Sequence, residues 1–370
     1  MRVIVTGAGG FIGKNLCAAF SPRPDTELFG FDRQDSEEVL IEELARADFI
    51  FHLAGVNRAE DDTEFLPGNR ALISRITEHL AQNGKAVPIL LSSSVQAGLD
   101  NPYGRSKLET EDCLKEYAEK TGAPVFIYRL PGVFGKWSCP FYNTVVATWC
   151  TQIAAGEEVR IDDPERELPL IYIDDVVSCF IDCVSGKVEK DADGFCHAEP
   201  VERVTLGGLY EILKGFKSSR ENLTLPDFSN RLVKNLYATY LSFLPPDGFS
   251  YPLAKKSDDR GWLAEFIKAK GTGQIFISTT KPGFVRGNHW HHTKCEKFLV
   301  VAGEAEIKFR NVLGVQTQSY YVSSQTPQVV DIPPGYTHSI ENVGQSELVT
   351  LFWSNEIFDS VRPDTFYEKV

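Results

Sequence analysis

The 370-residue sequence predicts an α/β chain in two parts, a doubly wound parallel sheet followed by a small all-β barrel of the jelly-roll kind. Three observations predict it. The length exceeds what one hydrophobic core usually organises, since domains mostly run to about 100–200 residues. As far as Tyr128, apolar runs of strand length alternate with longer stretches of helical periodicity, the pattern of βαβ units. After Pro245-Pro246-Asp247-Gly248 the texture changes to short β-type segments punctuated by glycine and proline.

In the first part the strands fall at Arg2–Thr6, Glu27–Phe31, Phe49–Leu53, Val87–Ser92 and Val125–Tyr128. Helical periodicity marks Lys14–Phe20, Asp35–Ala45, Asn69–Asn83 and Ser106–Thr121 between them. In the second part the β segments are Gln274–Thr279, Glu296–Val301, Glu304–Phe309, Gln328–Ile332 and Glu347–Trp353.

Composition narrows the function classes. Hydrophobic residues at 42% and charged residues at 24% lie in the ordinary globular range. Lys+Arg 38 against Asp+Glu 51 leaves a net charge of -13, which argues against nucleic acid or an anionic membrane as partner. Met1-Arg2-Val3-Ile4-Val5-Thr6-Gly7 reaches glycine too early for a signal peptide, and no run of 18 apolar residues follows, so a cytoplasmic location is expected. The eight cysteines form no C-x-x-C pair and read as reduced structural thiols, with Cys295 falling inside a metal-type motif.

Thr6-Gly7-Ala8-Gly9-Gly10-Phe11-Ile12-Gly13 follows the first strand and opens a helix, so its glycines fall where a pyrophosphate approaches the amides of a helix N-terminus. This is the signature of a Rossmann-type dinucleotide site. The second strand ends at Asp32-Arg33, where a carboxylate suits the ribose of NAD and an arginine suits the 2′-phosphate of NADP. The reading favours NADPH, with NADH as the alternative.

Tyr103 and Lys107 stand four apart on a helix, after the serines Ser92-Ser93-Ser94 that close a strand. That spacing puts the ammonium one turn from the phenol on the same face, where it favours tyrosinate and makes the phenol a usable proton donor. These motifs resemble the extended short-chain dehydrogenase/reductase family over residues 1–243. His52-Leu53-Ala54-Gly55 matches its fourth-strand segment and Tyr172-Ile173-Asp174-Asp175-Val176 its late substrate-lobe motif. The resemblance implies Tyr103 as proton donor, Lys107 as its partner, Ser94 or Ser93 as third catalytic residue, and Leu53, Ala54 and Gly55 beside the cofactor. Arg129 becomes a substrate candidate, although Gly132 stands where many relatives carry an asparagine. His52 reads more simply as a core histidine, and Asp174 and Asp175 as caps.

In the second part, His289-Trp290-His291 and Glu296, then Pro334-Gly335-Tyr336-Thr337-His338, gather four of the seven histidines. Alternate residues of a strand share a face, so His289 and His291 converge, with Glu296 and His338 completing a set of three imidazoles and one carboxylate. That set suits Zn(II), Fe(II), Mn(II) or Ni(II), zinc being the first choice. The pair of motifs resembles the cupin family, and the contexts of Arg260 and Arg286 resemble its sugar-nucleotide epimerase branch, where such arginines meet diphosphate. The expected division is then 1–243 for the reductase, 244–251 for a linker and 252–370 for the cupin.

The fusion as a whole resembles enzymes of bacterial capsular polysaccharide synthesis. It implies a homodimer acting on a UDP-linked keto-sugar, with C3 epimerisation in the cupin and NADPH reduction at C4 in the first domain.

Overall fold

Alternation decides the first sheet. Val3 and Val5 pack on one face of the first strand and Ile4 on the other, and all three are buried. The computed structural model describes residues 1–58, 61, 64–186 and 188–370. Its first elements are β1 (Arg2–Thr6), α1 (Phe11–Phe20), β2 (Glu27–Phe31), α2 (Glu37–Leu44), β3 (Phe49–His52), α3 (Phe65–Gln82), β4 (Ile89–Ser94), α4 (Pro102–Thr121) and β5 (Val125–Leu130). The five strands run parallel in the order β2-β1-β3-β4-β5, so the order reverses at β1, where α/β sheets open a ligand crevice. His52 therefore ends the third strand of the chain, beside β1, and not a fourth.

A smaller lobe follows with β6 (Gly132–Phe134), α5 (Val145–Ala155), β7 (Glu167–Tyr172), α6 (Ile173–Val184), β8 (Glu202–Thr205), α7 (Leu206–Asn222) and α8 (Arg231–Ser242). Leu16 and Phe20 of α1 pack with Val176 and Phe180 of α6 on one face of the main sheet. Leu40, Ile73, Ile76 and Leu114 of α2, α3 and α4 cover the other.

Helix α4 starts four residues earlier than its periodicity marks. Asn101 caps it, accepting from the Gly104 N–H at 2.7 Å, and Pro102 takes the first helical position. Tyr103 is thereby fixed in the first turn.

The chain divides into two compact units, Met1–Lys214 with Asn235–Pro245, and Gly215–Lys234 with Pro246–Val370. Residues 215–234, expected in the first domain, thus group with the second. The reason is backbone pairing: Lys268 N–H donates to Leu223 O and Leu225 N–H to Lys268 O, each at 2.7 Å.

The second unit holds β9 (Lys255–Asp258), β10 (Gly261–Ala269), β11 (Gly273–Thr280), β12 (Val285–Trp290), β13 (Glu296–Ala302), β14 (Glu304–Asn311), β15 (Thr317–Ser323), β16 (Val329–Ile332), β17 (Tyr336–Asn342), β18 (Leu348–Ser354) and β19 (Phe366–Tyr367). They pair antiparallel in two sheets, β16-β13-β18-β11-β10-β9 and β15-β14-β17-β12-β19. Phe298, Val300, Phe309, Ile340 and Phe352 fill the space between them. No helix among the described residues is long and apolar enough to cross a membrane.

Candidate active site and metal centre

The glycine loop leaves β1 and enters α1 with Gly10 at the N-cap, so its amides face a crevice of about 640 Å³ lined by Gly7, Gly9, Gly10, Asp32, Arg33, Leu53, Ala54 and Gly55. Gly13 is required by packing, since a Cβ there would lie 2.1 Å from Gly7 O. The Asp32 carboxylate accepts from Gly9 N–H at 2.7 Å, which turns it onto the loop. Arg33 is exposed and forms no ion pair among the described residues.

A second crevice of about 690 Å³ shares those glycines and is walled by Phe11, Ile12, Gly13, Ser94, Tyr103 and Lys107, with Gly132 opposite. Tyr103 hydrogen-bonds Ser94, and burial raises its phenol above the ordinary range while that bond pulls the other way. Lys107 is 7% exposed and donates from Nζ to Ser92 O at 3.3 Å, with Nζ 5.9 Å from the Tyr103 ring centre. Burial pushes the Lys107 ammonium down to about 8, against the charge of Glu111, which holds it up.

The serine alternatives separate here. Ser93 lines the crevice but is buried, and its hydroxyl is engaged in donating to Glu111 Oε1 at 2.5 Å. Ser94 is the one beside Tyr103.

Arg129 does not join the crevice lining. Its guanidinium forms a two-pronged pair with the fully buried Glu111, at 3.0 and 2.7 Å, and stacks 4.0 Å over Phe195. That pair commits Nε and Nη2 to Glu111. His52 is 1% exposed and bonded through Nδ1 to Thr6 Oγ1 at 2.9 Å; burial first, and then the Lys107 charge, push its imidazole down to about 3. It is a neutral core histidine. Tyr172, not an aspartate, takes the N-cap of α6, while Asp174 pairs with Lys136 at 2.5 Å.

In the second unit the ligand atoms of His289, His291, Glu296 and His338 lie within 4.8 Å of one another. A bulge makes this possible. Between Gly287 and His289 strand β12 takes two steps against one step of β17, with Gly287 at φ +90° and Asn288 at φ +57°, which sets His289 opposite His338. Strand β12 ends at Trp290, so His291 enters from just beyond it. Its Nδ1–H donates to Asp364 O at 2.5 Å, and His338 Nδ1 faces Tyr336 O at 3.3 Å.

Those contacts place the Nδ1 hydrogens and leave both Nε2 lone pairs inward, 3.5 and 3.4 Å from Glu296 Oε2. Both Nε2 atoms are buried without a hydrogen-bond partner, which is the condition of ligands awaiting a cation. The set fits a divalent transition metal.

Cys295 lies outside this cluster. His292 is exposed beside Trp290 and Phe366. Arg260 and Arg286 share one carboxylate: Arg260 is two-pronged on Asp258, and Arg286 reaches it at 3.4 Å while also donating to Thr279 O and Thr280 Oγ1. Asp364, which sequence reasoning missed, accepts from the N–H groups of His292, Thr293 and Lys294 at 2.9 Å each.

A phenol and an ammonium on the wall of a dinucleotide-type crevice define a nicotinamide-dependent enzyme of the short-chain kind, and the chain belongs to the NAD dependent epimerase/dehydratase family, whose model matches residues 3–192. The Polysaccharide biosynthesis C-terminal domain matches residues 256–366. Taken whole, the architecture is CapF-type. The crystal structure of the capsular polysaccharide assembling protein CapF from Staphylococcus aureus superposes with a TM-score of 0.94 at 49% identity, covering all of both chains. A UDP-2-acetamido-2,6-beta-L-arabino-hexul-4-ose reductase of Pseudomonas aeruginosa is 44% identical over 366 residues, 99% of this chain and 98% of the relative. UDP-glucose 4-epimerase of Thermotoga maritima, at 19% identity and a TM-score of 0.55 over 66% of this chain and 98% of its own, shares the fold.

Proposed function

We propose that the chain inverts C3 of a UDP-2-acetamido-2,6-dideoxy-4-hexulose in its cupin-type unit and then reduces the C4 ketone with NADPH in its first unit. The product would be UDP-N-acetyl-L-talosamine, destined for UDP-N-acetyl-L-fucosamine and capsular polysaccharide. The observation that carries the reading is the Tyr103 phenol, held beside Ser94 and Lys107 on the wall of the dinucleotide crevice. The Pseudomonas relative, named for reducing such a ketone, supports the substrate class.

When bound, the nicotinamide supplies hydride, and a divalent metal, zinc as first choice, supplies Lewis-acid polarisation. The residues do the rest. The Gly7–Gly13 loop holds the pyrophosphate, and Arg33, left free because Asp32 is turned onto Gly9, meets the 2′-phosphate. Ser94 hydrogen-bonds the C4 carbonyl oxygen, and Tyr103 gives its proton to that oxygen as the ketone becomes an alcohol. Lys107 favours the tyrosinate left behind. His289, His291, Glu296 and His338 would hold the metal. A homodimer acting in the cytoplasm completes the proposal.

Mass spectrometry and NMR of products from UDP-4-keto-sugars, run with NADPH and with NADH, test it. A reduced sugar inverted at C3, formed faster with NADPH, is expected. No cofactor oxidation with any keto-sugar overturns the reading. A reduced sugar with C3 unchanged leaves a reductase whose second unit only binds, the alternative favoured by the relative's name, which mentions reduction alone.

A further inference from the structure

Three residues of α4 stand at successive turns on one face: Tyr103, Lys107 and Glu111. The first two face the crevice. The third is fully buried beneath them and belongs to none of the roles described so far.

Glu111 is the hub of a closed set of contacts. Its Oε1 accepts from Ser93 Oγ at 2.5 Å and from Arg129 Nε at 3.0 Å, and its Oε2 accepts from Arg129 Nη2 at 2.7 Å. Ser93 and Arg129 are themselves opposite one another on β4 and β5. The carboxylate therefore pins two adjacent strand ends at once. Successive strand residues point to opposite faces, so fixing Ser93 inward fixes Ser94 outward, toward Tyr103. On the other side of Ser93, Ser92 O accepts from Lys107 Nζ. Each of the three serines is thus tied to one member of the helical stripe.

We propose that Glu111 is the positioning residue of the Tyr103–Lys107 pair: bonded to Ser93 and Arg129, it fixes the strand end that presents Ser94 to Tyr103 and the Ser92 carbonyl to Lys107. The groups facing Lys107 come from three elements. On α4 these are the Tyr103 phenol and the Glu111 carboxylate, on β3 the neutral His52, and on β4 the Ser92 carbonyl. Burial lowers the Lys107 value to about 8 and Glu111 opposes the fall, so removing the Glu111 charge should lower it further.

The inference rests on the reductase reading, and the experiment separates the two. The pH profile of kcat for keto-sugar reduction is measured for wild type, Glu111→Gln, Glu111→Asp and Arg129→Gln, with Tyr103→Phe as the control for the reaction itself. Activity that needs the Lys107 ammonium falls as pH rises through its pKa. Glu111→Gln should move that alkaline limb down by roughly one pH unit, and Arg129→Gln, which removes one of the two groups bonded to Glu111, should lower kcat. Glu111→Asp, which keeps the charge but is too short for Ser93, should lower kcat and leave the limb in place. The KM for cofactor should change less than twofold in all three.

A purely structural ion pair would lower kcat in both neutral variants and leave the Glu111→Gln limb in place, and that result overturns the proposal. If Glu111→Gln does not fold, Glu111→Asp carries the test, since a moved limb or an unchanged kcat in that variant overturns it. An active Tyr103→Phe would instead remove the reductase assignment, whatever the limbs do.

Discussion

His291 Nδ1 lies 2.5 Å from the carbonyl oxygen of Asp364, a residue 73 positions further along the chain. The same Asp364 uses its carboxylate to collect the amides of His292, Thr293 and Lys294, and these bonds hold its carboxyl well below the usual range, although burial works against them. One residue thus fixes both the ring orientation of a candidate metal ligand and the turn that carries it.

Asp364→Ala keeps the carbonyl that meets His291 but removes the carboxylate that holds the turn, and should therefore weaken metal binding, by up to about 10–100-fold, the range for losing support of a ligand. Competition with a chromophoric chelator measures it. His289 and His338 are anchored elsewhere, so some affinity should remain, whereas the His289→Ala/His338→Ala double variant should release the metal entirely. Equal affinity in Asp364→Ala and wild type would mean that the turn orients His291 without its carboxylate.

Arg33 gives a second expectation. It is exposed at the cofactor crevice and Asp32 is occupied by Gly9 N–H, so Arg33→Ala should cost NADPH about 1.5–3 kcal/mol of binding, as loss of a charge-assisted hydrogen bond does. NADH should be almost unaffected. Fluorescence titration with both cofactors decides, and equal losses would show that Arg33 does not read the 2′-phosphate.

What the sequence made legible, and what it hid, divides by range. The glycine loop and the Tyr-x-x-x-Lys spacing are local patterns that fold into the elements their spacing implies, whereas of the histidine pair His289 lies on β12 and His291 follows its end. The N-terminus of α4 was also written locally, in Asn101-Pro102, a cap and first-turn pair that outranks the periodicity beginning at Ser106. The pairing of Arg129 with Glu111 was not legible, because Glu111 lies 18 residues away on another element and no spacing rule joins them. Asp364 was invisible for the same reason at greater distance. Strand β15 (Thr317–Ser323) escaped because five of its seven side chains are exposed, so no apolar alternation marks it.

Tyr103→Phe should lower kcat for ketone reduction by about 10²–10⁴-fold, the range for removing a general acid. The ring stays, with its edge contact to Phe65 at 5.6 Å, and the glycine loop is untouched, so cofactor affinity should be kept. Stopped-flow cofactor oxidation beside equilibrium binding gives both numbers. Near-normal turnover would take the proton donation away from Tyr103.

His52 provides a test of stability against pH. Its imidazole is pushed down to about 3 in the fold, by burial first, while an unfolded chain titrates near 6.5. Between those values the unfolded state binds the extra proton, so this contribution to stability is present above about pH 6.5 and is lost as pH falls. The Tm advantage of wild type over His52→Leu should accordingly shrink from pH 8 to pH 5. A gap that stays constant would mean that His52 is not held neutral.

The order of the two proposed reactions follows from acidity. The C3–H beside a C4 ketone can leave as a proton because the charge delocalises onto O4, where cationic groups stabilise it. Once hydride reaches C4 the ketone is gone, and C3 can no longer be inverted by that route. The cupin-type unit must therefore act first. In D2O without NADPH, the keto-sugar should gain deuterium at C3, and Tyr103→Phe should retain this exchange because its lost hydroxyl serves only the later step. The His289→Ala/His338→Ala variant should lose exchange yet reduce an already inverted ketone at the wild-type rate, since the ligands His289, His291, Glu296 and His338 all lie in the second unit while Ser94, Tyr103 and Lys107 lie in the first. NMR at C3 reads the exchange directly. Reduced, inverted product with no solvent deuterium at C3 would exclude proton abstraction there and leave the second unit as a binding module.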